Sequence, residues 1–250
     1  MGKIGQAILR KLHLRDILNQ NNEILLALKK QEGIQNELLK AEVFNSTIAD
    51  SEWLRYKSFS PGRWAVDYAL LYTLYRTLTA MKPTKIIEFG LGQSSKMIHQ
   101  YAIFYQSKAI TIEHDQAWID FFRSGLEGNY DINIQLLDLA TIEYNGFETL
   151  TYKNFNSFFS DEKFDIILVD APFGSKRYSR SQIVDMAHNN LSDSFCIIID
   201  DTERQGEKDT IAEVCKVLDE KKIKYYSTTY TTIKSHTVIC SENLRFLTTL

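Results

Sequence analysis

The sequence predicts an α/β fold: a seven-stranded, mostly parallel sheet closed by an antiparallel hairpin strand, with an N-terminal helical extension. Three observations predict it. From Lys85 onward, short apolar runs alternate with helical patterns, and strands separated by single helices imply βαβ units with right-handed crossovers. The runs are apolar on both faces, as buried parallel strands are. The last two runs are joined by only a few residues around Tyr230, a link that permits a hairpin and no parallel crossover.

Taken in order, residues 3 to about 43 carry a helical pattern, with Ile4, Ile8, Leu12, Ile17, Leu18, Ile24, Leu25 and Leu28 on one face. Asn19 to Asn22 and Gly33 interrupt it, so a pair of amphipathic helices is expected. That pair would pack on the domain or on a second copy as a homodimer. Lys3, Arg10, Lys11 and Arg15 in its first turns also suit a membrane surface, and a partner-docking arm is the third reading. Residues 44 to 62 read as a connector, with a turn at Ser58-Phe59-Ser60-Pro61-Gly62. Residues 1–62 are thus assigned to the extension and 63–250 to the α/β domain. A helix over 63–80 ends before Pro83, and its start, Ser60 to Arg63, is placed to reach a ligand cleft. Strands are predicted at 85–89, 109–113, 132–137, 164–170, 195–200, 224–229 and 233–241. Helices are predicted at 95–105, 116–125, 179–189 and 207–221. Residues 138 to 163 show no clear helix and read as an irregular excursion over the cleft.

The 250 residues can bury one sizeable core. A net charge of -3 offers no basic field to nucleic acid. No apolar run approaches the ~18 residues of a membrane span, and the first residues lack a signal-peptide core. Cys196, Cys215 and Cys240 are scattered without metal spacing, as free thiols in a reducing, cytoplasmic location would be.

The chemistry gathers at the stretch Lys85 to Ser95. Gly90 and Gly92 let the chain turn after the strand and let a ligand approach the backbone. Ser94 or Ser95 can cap the helix that follows, whose free N–H groups suit an anionic group. Glu88, expected in the same cleft, can accept from an ammonium. The amino-acid end of S-adenosylmethionine offers both groups. A dinucleotide is the rival, although its third glycine position holds Ser95, and a merely tight strand–helix turn also stays open. Ligands of open parallel sheets bind beyond the carboxyl ends of the strands, and an acid stands at each such end. Glu113, followed by His114 and Asp115, can accept both ribose hydroxyls of an adenosine. His114 and Trp118 would flank the adenine, with a core role the favoured one for Trp118, and Asp138 would accept from the adenine amino group. Asp170 heads Val169-Asp170-Ala171-Pro172-Phe173-Gly174. With Asp200 and Asp201 it would hold Mg²⁺ or Mn²⁺ through hard oxygen ligands, or the pair would serve helix capping and backbone hydrogen bonds. Lys176 suits a base or, with Arg177 and Arg204, a clamp for an acidic substrate. Arg180 belongs to the same basic loop. His99 and His188, inside helical runs, read as packing or surface residues.

Glu88-Phe89-Gly90-Leu91-Gly92 resembles the first motif of the class I S-adenosylmethionine-dependent methyltransferases, and Glu113 matches their ribose-binding acid. The closing hairpin matches their Rossmann-like sheet. The resemblance covers about residues 63 to 241. Phe89 to Ser95, Glu113 to Trp118, and Asp165 to Pro172 with Gly174 look like the plant glucuronoxylan O-methyltransferase family, which methylates a glucuronic-acid hydroxyl on a polysaccharide. Asp170 with Asp200 and Asp201 is also similar in spacing to the metal ligands of catechol O-methyltransferases, which place a lysine nearer the first aspartate than Lys176 stands to Asp170. The resemblance implies O-methyl transfer to a sugar or glycan hydroxyl, with Glu88, Gly90, Gly92, Ser94, Ser95, Glu113, His114, Asp138 and Asp170 at the donor. Asp170, Lys176, Asp200 and Asp201 would stand at the chemistry. A catalytically silent chain docking through its N-terminal helices and an NAD- or nucleotide-dependent enzyme are the alternatives.

Overall fold

The computed structural model describes residues 3–62, 64–128, 130–160 and 162–250, with side chains from Arg15 onward. Seven strands form the main sheet: β1 (Lys85–Phe89), β2 (Lys108–Glu113), β3 (Ile134–Leu136), β6 (Phe164–Val169), β7 (Leu191–Ile199), β8 (Tyr225–Thr231) and β9 (Ser235–Ser241). Their order is β3-β2-β1-β6-β7-β9-β8. β1, β2, β3, β6 and β7 pair in parallel, and β9 runs antiparallel to both β7 and β8. The expected closing hairpin is therefore present. Its turn lies at Thr232, Ile233 and Lys234 instead of around Tyr230.

Two apolar layers sandwich the sheet. On one face the end of α1 (Lys3–Ile48), α2 (Tyr68–Met81), α3 (Gln93–Tyr105) and a 3-10 turn (Glu242–Thr248) cover Ile86, Ile166, Leu168, Ile198 and Val238. On the other, α6 (Gln182–Asn189) and α7 (Gln205–Glu220) cover Ile87, Ile167, Ile197 and Ile239. This two-sided burial explains the near-continuous apolar strands. Each such side chain contributes about 1.5–3 kcal/mol on leaving water. A smaller cluster of Leu91, Ile119, Phe122 and Ile132 packs α4 (Gln116–Ser124) against the turn after β1 and the approach to β3. The three cysteines are free thiols, as read.

Three expectations need correction. First, α1 is one unbroken helix, not a pair. Mid-helix Asn costs only tenths of a kcal/mol, and Gly about 1. Gly33 has a contact reason: a Cβ there would stand 2.7 Å from the Thr232 carbonyl oxygen. The residues Ile4, Ile8 and Leu12 of the expected face, and Lys3, Arg10 and Lys11, have side chains outside the described set. Second, the connector belongs to the body of the protein. Phe44, Ile48, Trp53 and Leu54 join the same core as α2 and the sheet. Asp67, whose Oδ1 accepts from Leu70 N at 2.8 Å, starts α2 later than predicted. Third, residues 138–163 hold a regular hairpin, β4 (Leu139–Tyr144) and β5 (Phe147–Tyr152), then a short α5 (Phe155–Phe158). Asn145 and Gly146 turn it with φ of +50° and +79°, as an Asn-Gly two-residue loop does.

Candidate active site

The carboxyl edge of the sheet brings together the glycine turn and the acids that end β1, β2, β6 and β7. Gly90 has φ +99°, and a Cβ there would come 3.0 Å from Ala171 Cβ and 3.3 Å from the Asp170 carbonyl carbon. Conformation and crowding both demand glycine. Gly92 is different. It is the N-cap of α3 with extended backbone, φ -165°, and an added Cβ would meet nothing within 4 Å. Its missing side chain leaves room over the first turn of α3. Neither serine is the cap: Ser95 Oγ accepts from Gly92 N at 2.9 Å, and Ser94 Oγ donates to Glu88 Oε1 at 2.5 Å. The turn at Ser60 does reach this corner, where Ser60 N donates to Gln93 Oε1 at 3.0 Å. Arg63 lies outside the described residues.

Glu88 is wholly buried beneath the turn, not open to the cleft. Its second oxygen accepts from Thr111 Oγ1 at 2.7 Å, and Thr111 Oγ1 lies 2.9 Å from His99 Nε2. With the threonine proton given to Glu88, the histidine nitrogen donates. Burial pushes the Glu88 carboxyl up to about 7, against hydroxyl hydrogen bonds that pull it down. Burial pulls His99 down to about 4, consistent with a packing role. Glu113 works through the backbone. Its Oε2 accepts from Leu91 N at 3.1 Å, and its Oε1 from His114 N at 2.6 Å and Asp115 N at 3.0 Å. It ties the β2 end to the glycine turn. Trp118 Nε1 donates to Leu91 O at 2.7 Å, and the indole is 40% exposed beside the turn, not in the core. His114 meets the exposed Phe173 edge-on at 5.6 Å. Asp138, between β3 and β4, is exposed to solvent.

A second cluster stands beyond β6 and β7. Asp170, Asp200 and Asp201 place carboxylate oxygens within 4.8 Å of one another, as the spacing predicted. Sequence reasoning missed what fills the space between them. Arg180, 3% exposed, donates to Asp201 Oδ2 at 2.9 Å and to the carbonyls of Asp200 (2.9 Å), Asp170 (3.1 Å), Pro172 (3.2 Å) and Val169 (3.3 Å). It is a knot between strand ends, not a substrate clamp. Lys234 Nζ stands 3.6 Å from Asp200 Oδ2 and 3.5 Å from Asp201 Oδ1. β9 runs backwards, so its opening turn must lie at the carboxyl edge. That is the signal by which Lys234 was findable. Arg204 Nη1 pairs with Asp201 Oδ2 at 3.0 Å.

Burial raises Asp170 to about 6, with Arg180 and Lys234 opposing. Burial, then Asp170, hold Asp200 well above the usual range. For Asp201, burial pushes up but Arg180, Lys234 and Arg204 win, and its pKa is lowered. Among the described residues, neither Asp200 oxygen has a hydrogen-bond partner. The donor set suits a hard divalent ion, yet an ammonium already faces two of its oxygens and two arginines hold a third. A divalent ion does not fit beside that lysine. Lys176 is exposed on the loop. Arg177 is bound to Asp209 and lies 4.8 Å over the Phe147 ring, pinning α7 to β5. Tyr152, 2% exposed, buries a hydroxyl with no partner among the described residues. No helix among them is long and apolar enough to cross a membrane.

No family model matches the chain. Over 112 residues it is 29% identical to a Methanocaldococcus jannaschii protein provisionally named a methyltransferase. That match covers 44% of this chain and 39% of the relative, so the chain spans less than half of the relative's length. Among solved structures, a provisionally named caffeoyl-CoA O-methyltransferase from Staphylococcus aureus aligns with a TM-score of 0.47 and 15% identity, over 90% of this chain and 99% of that one. A Podospora anserina methyltransferase bound to S-adenosylhomocysteine aligns at 0.44 and 14%, over 89% and 96%. Likenesses this shallow carry no weight beside the strand order. Seven strands in this order, with β9 alone reversed and a glycine turn after β1, make this the Rossmann-like fold of the class I methyltransferases.

Proposed function

We propose that the chain is an S-adenosylmethionine-dependent O-methyltransferase acting on a hydroxyl of a sugar or glycan, a uronic acid among them. The observation that carries the reading is the place of the glycine turn: it ends the central strand β1, opens α3, and lies in a sheet whose β9 runs backwards. A dinucleotide fold would need neither the reversed strand nor Ser95 at the third glycine position. The room over Gly92 suits the amino-acid end of the donor, whose carboxylate would meet the first N–H groups of α3. Glu88, Ser94 and Ser95 act on the donor through the turn they hold. Glu113, His114 and Asp138 line the ribose and adenine side.

The transfer itself is an in-line displacement. The acceptor oxygen bonds to the methyl carbon as the carbon–sulfur bond breaks. The bonding pair goes to sulfur, and the hydroxyl proton goes to a base. Asp170, whose side chain is 18% exposed at the carboxyl end of β6, takes that proton. Asp200 and Asp201 set the local field and hold the basic groups in place. Lys176 and Arg204, at the exposed rim, would read an acidic sugar. Positioning and electrostatics supply most of the acceleration.

Thermal denaturation with S-adenosylmethionine, S-adenosylhomocysteine and NAD tests the donor. A ligand at about a hundred times its Kd adds ~2.7 kcal/mol. Both adenosyl ligands are expected to raise the melting point and NAD to leave it; no shift with either adenosyl ligand overturns the reading. Labelled methyl transfer to sugar nucleotides and short uronic-acid glycans tests the acceptor. A second reading, a silent fold that docks through α1, draws on one observation. Leu18, Leu25 and Leu28 are each more than half exposed. At 100° per residue Leu28 lies opposite Gly33, Glu37, Phe44 and Ile48, which face the domain, while Leu18 and Leu25 stand to one side of that face. A second copy of the chain, as a homodimer, would cover them. Removing residues 1–32 would then abolish self-association in sedimentation and spare donor binding.

A further inference from the structure

We infer that Lys234 is a built-in cation that takes the place a divalent ion would hold among Asp170, Asp200 and Asp201. The inference deepens the proposed acceptor site and rests on that reading for its chemistry. Its geometry stands alone. The ammonium lies 3.6 Å from Asp200 Oδ2 and 3.5 Å from Asp201 Oδ1, and donates to the Ala65 carbonyl at 3.0 Å. The Lys234 side chain is 13% exposed, so it stands at the edge of the cleft, not on the open surface.

Three contacts fix the turn that carries it. Thr232 Oγ1 donates to Asp67 Oδ2 at 2.5 Å, Ser235 N donates to Glu203 Oε2 at 2.9 Å, and Gly33 of α1 lies against the Thr232 carbonyl. A long side chain at a free hairpin tip would lose its position to rotamer freedom. This tip is clamped on both sides and delivers its charge to one place.

The charge balance agrees. Asp170, Asp200 and Asp201 are met by three cations, Arg180, Arg204 and Lys234, with the buried Glu207 3.9 Å from each arginine. A divalent ion added to that set would sit beside the ammonium and repel it. The ammonium, its three N–H groups turned to Ala65, Asp200 and Asp201, holds those carboxylates in place and lacks the charge to ionise a hydroxyl as a metal does. Proton removal therefore falls to Asp170. Lys234 is a positioning residue.

Mn²⁺ titration of the full chain, followed by electron paramagnetic resonance, reads the inference without donor or acceptor, so its failure is separable from failure of the methyl-transfer reading. The wild type is expected to show no saturable Mn²⁺ site, and exhaustive chelation is expected to leave turnover unchanged. Lys234→Met is expected to bind Mn²⁺ at least about tenfold more tightly than the wild type, because a unit charge this close is worth that factor even when well screened. The gain should vanish in Lys234→Met combined with Asp200→Asn. Lys234→Arg, which keeps a cation, should behave as the wild type. A saturable wild-type site that Asp200→Asn removes overturns the inference. So does a folded Lys234→Met variant that binds Mn²⁺ no better than the wild type.

Discussion

Glu88 and Glu113 end β1 and β2; Asp170, Asp200 and Asp201 stand beyond β6 and β7. All are acids at the same sheet edge, yet they are held by different means. Glu88 takes two hydroxyls, and Glu113 takes three backbone N–H groups with the His114 imidazole Nδ1 2.8 Å from its Oε1. The aspartates take cations: Arg180, Arg204 and Lys234. Neutral donors are short and directional, so they shape a loop. Cations act over longer distances and fix a local charge. One side of the edge thus builds the cradle for a ligand, and the other stores the field that acts on it.

The sharpest way to break this contrast is Arg180→Met. It leaves buried aspartates uncompensated, and loss of one partner from such a cluster costs about 3–5 kcal/mol. Urea unfolding should show that loss, and a loss under about 1 kcal/mol would mean the cluster is not charge-held.

Next comes Glu88→Gln. The folded carboxyl sits near 7 against about 4.5 unfolded. Between those values the folded chain keeps a proton that the unfolded chain has released. Stability from Glu88 therefore falls as pH rises, by about 3 kcal/mol over the window. His99 (about 4) and His236 (about 3) pull the other way, since burial lowers both and their contribution is lost as pH falls below about 6.5. Subtracting the wild-type unfolding profile from that of the variant isolates Glu88, and the difference should rise from pH 4.5 to 7. A flat difference would refute neutral holding.

Glu113→Gln replaces a charged acceptor of three N–H groups with a neutral one that also brings a donor. A cost of about 1–3 kcal/mol in unfolding free energy is expected, with weaker donor binding by calorimetry. Gly92→Ala should have the smallest effect on stability, within about 0.5 kcal/mol. Its Cβ would fill open space, so calorimetry should show donor affinity falling while the melting point stays.

Much of the neutral-donor side was legible in the sequence because its contacts are local. Glu88 and Ser94 are six positions apart, and the strand–glycine–helix order is visible without coordinates. What escaped was direction: the same order fits a carboxylate in the cleft or beneath the turn, and the choice was made by Thr111 on the neighbouring strand. The charged side was half legible. Apolar runs ending in Asp170 and Asp200 gave the acids, but their cations come from a loop and from a hairpin turn placed three residues further along than expected. The Asn145-Gly146 hairpin was available from its dipeptide and went unread because the strands beside it are polar on one face. Asn19 to Asn22 misled in the opposite sense, since a weak helix former does not end a helix that neighbours on both sides sustain.

As a single rod, α1 is about 70 Å long at 1.5 Å per residue, and it crosses the β8–β9 tip where Gly33 has no side chain. That crossing is a fulcrum. Its short arm is buried with Phe44 and Ile48, and its long arm is exposed at Leu28, Leu25 and Leu18. The crossing sets a spacing: a side chain at Gly33 would stand 2.7 Å from the Thr232 carbonyl oxygen, two residues before Lys234. A missing methyl group at one position thus lets the rod lie flush against the loop that carries the charge at the cleft.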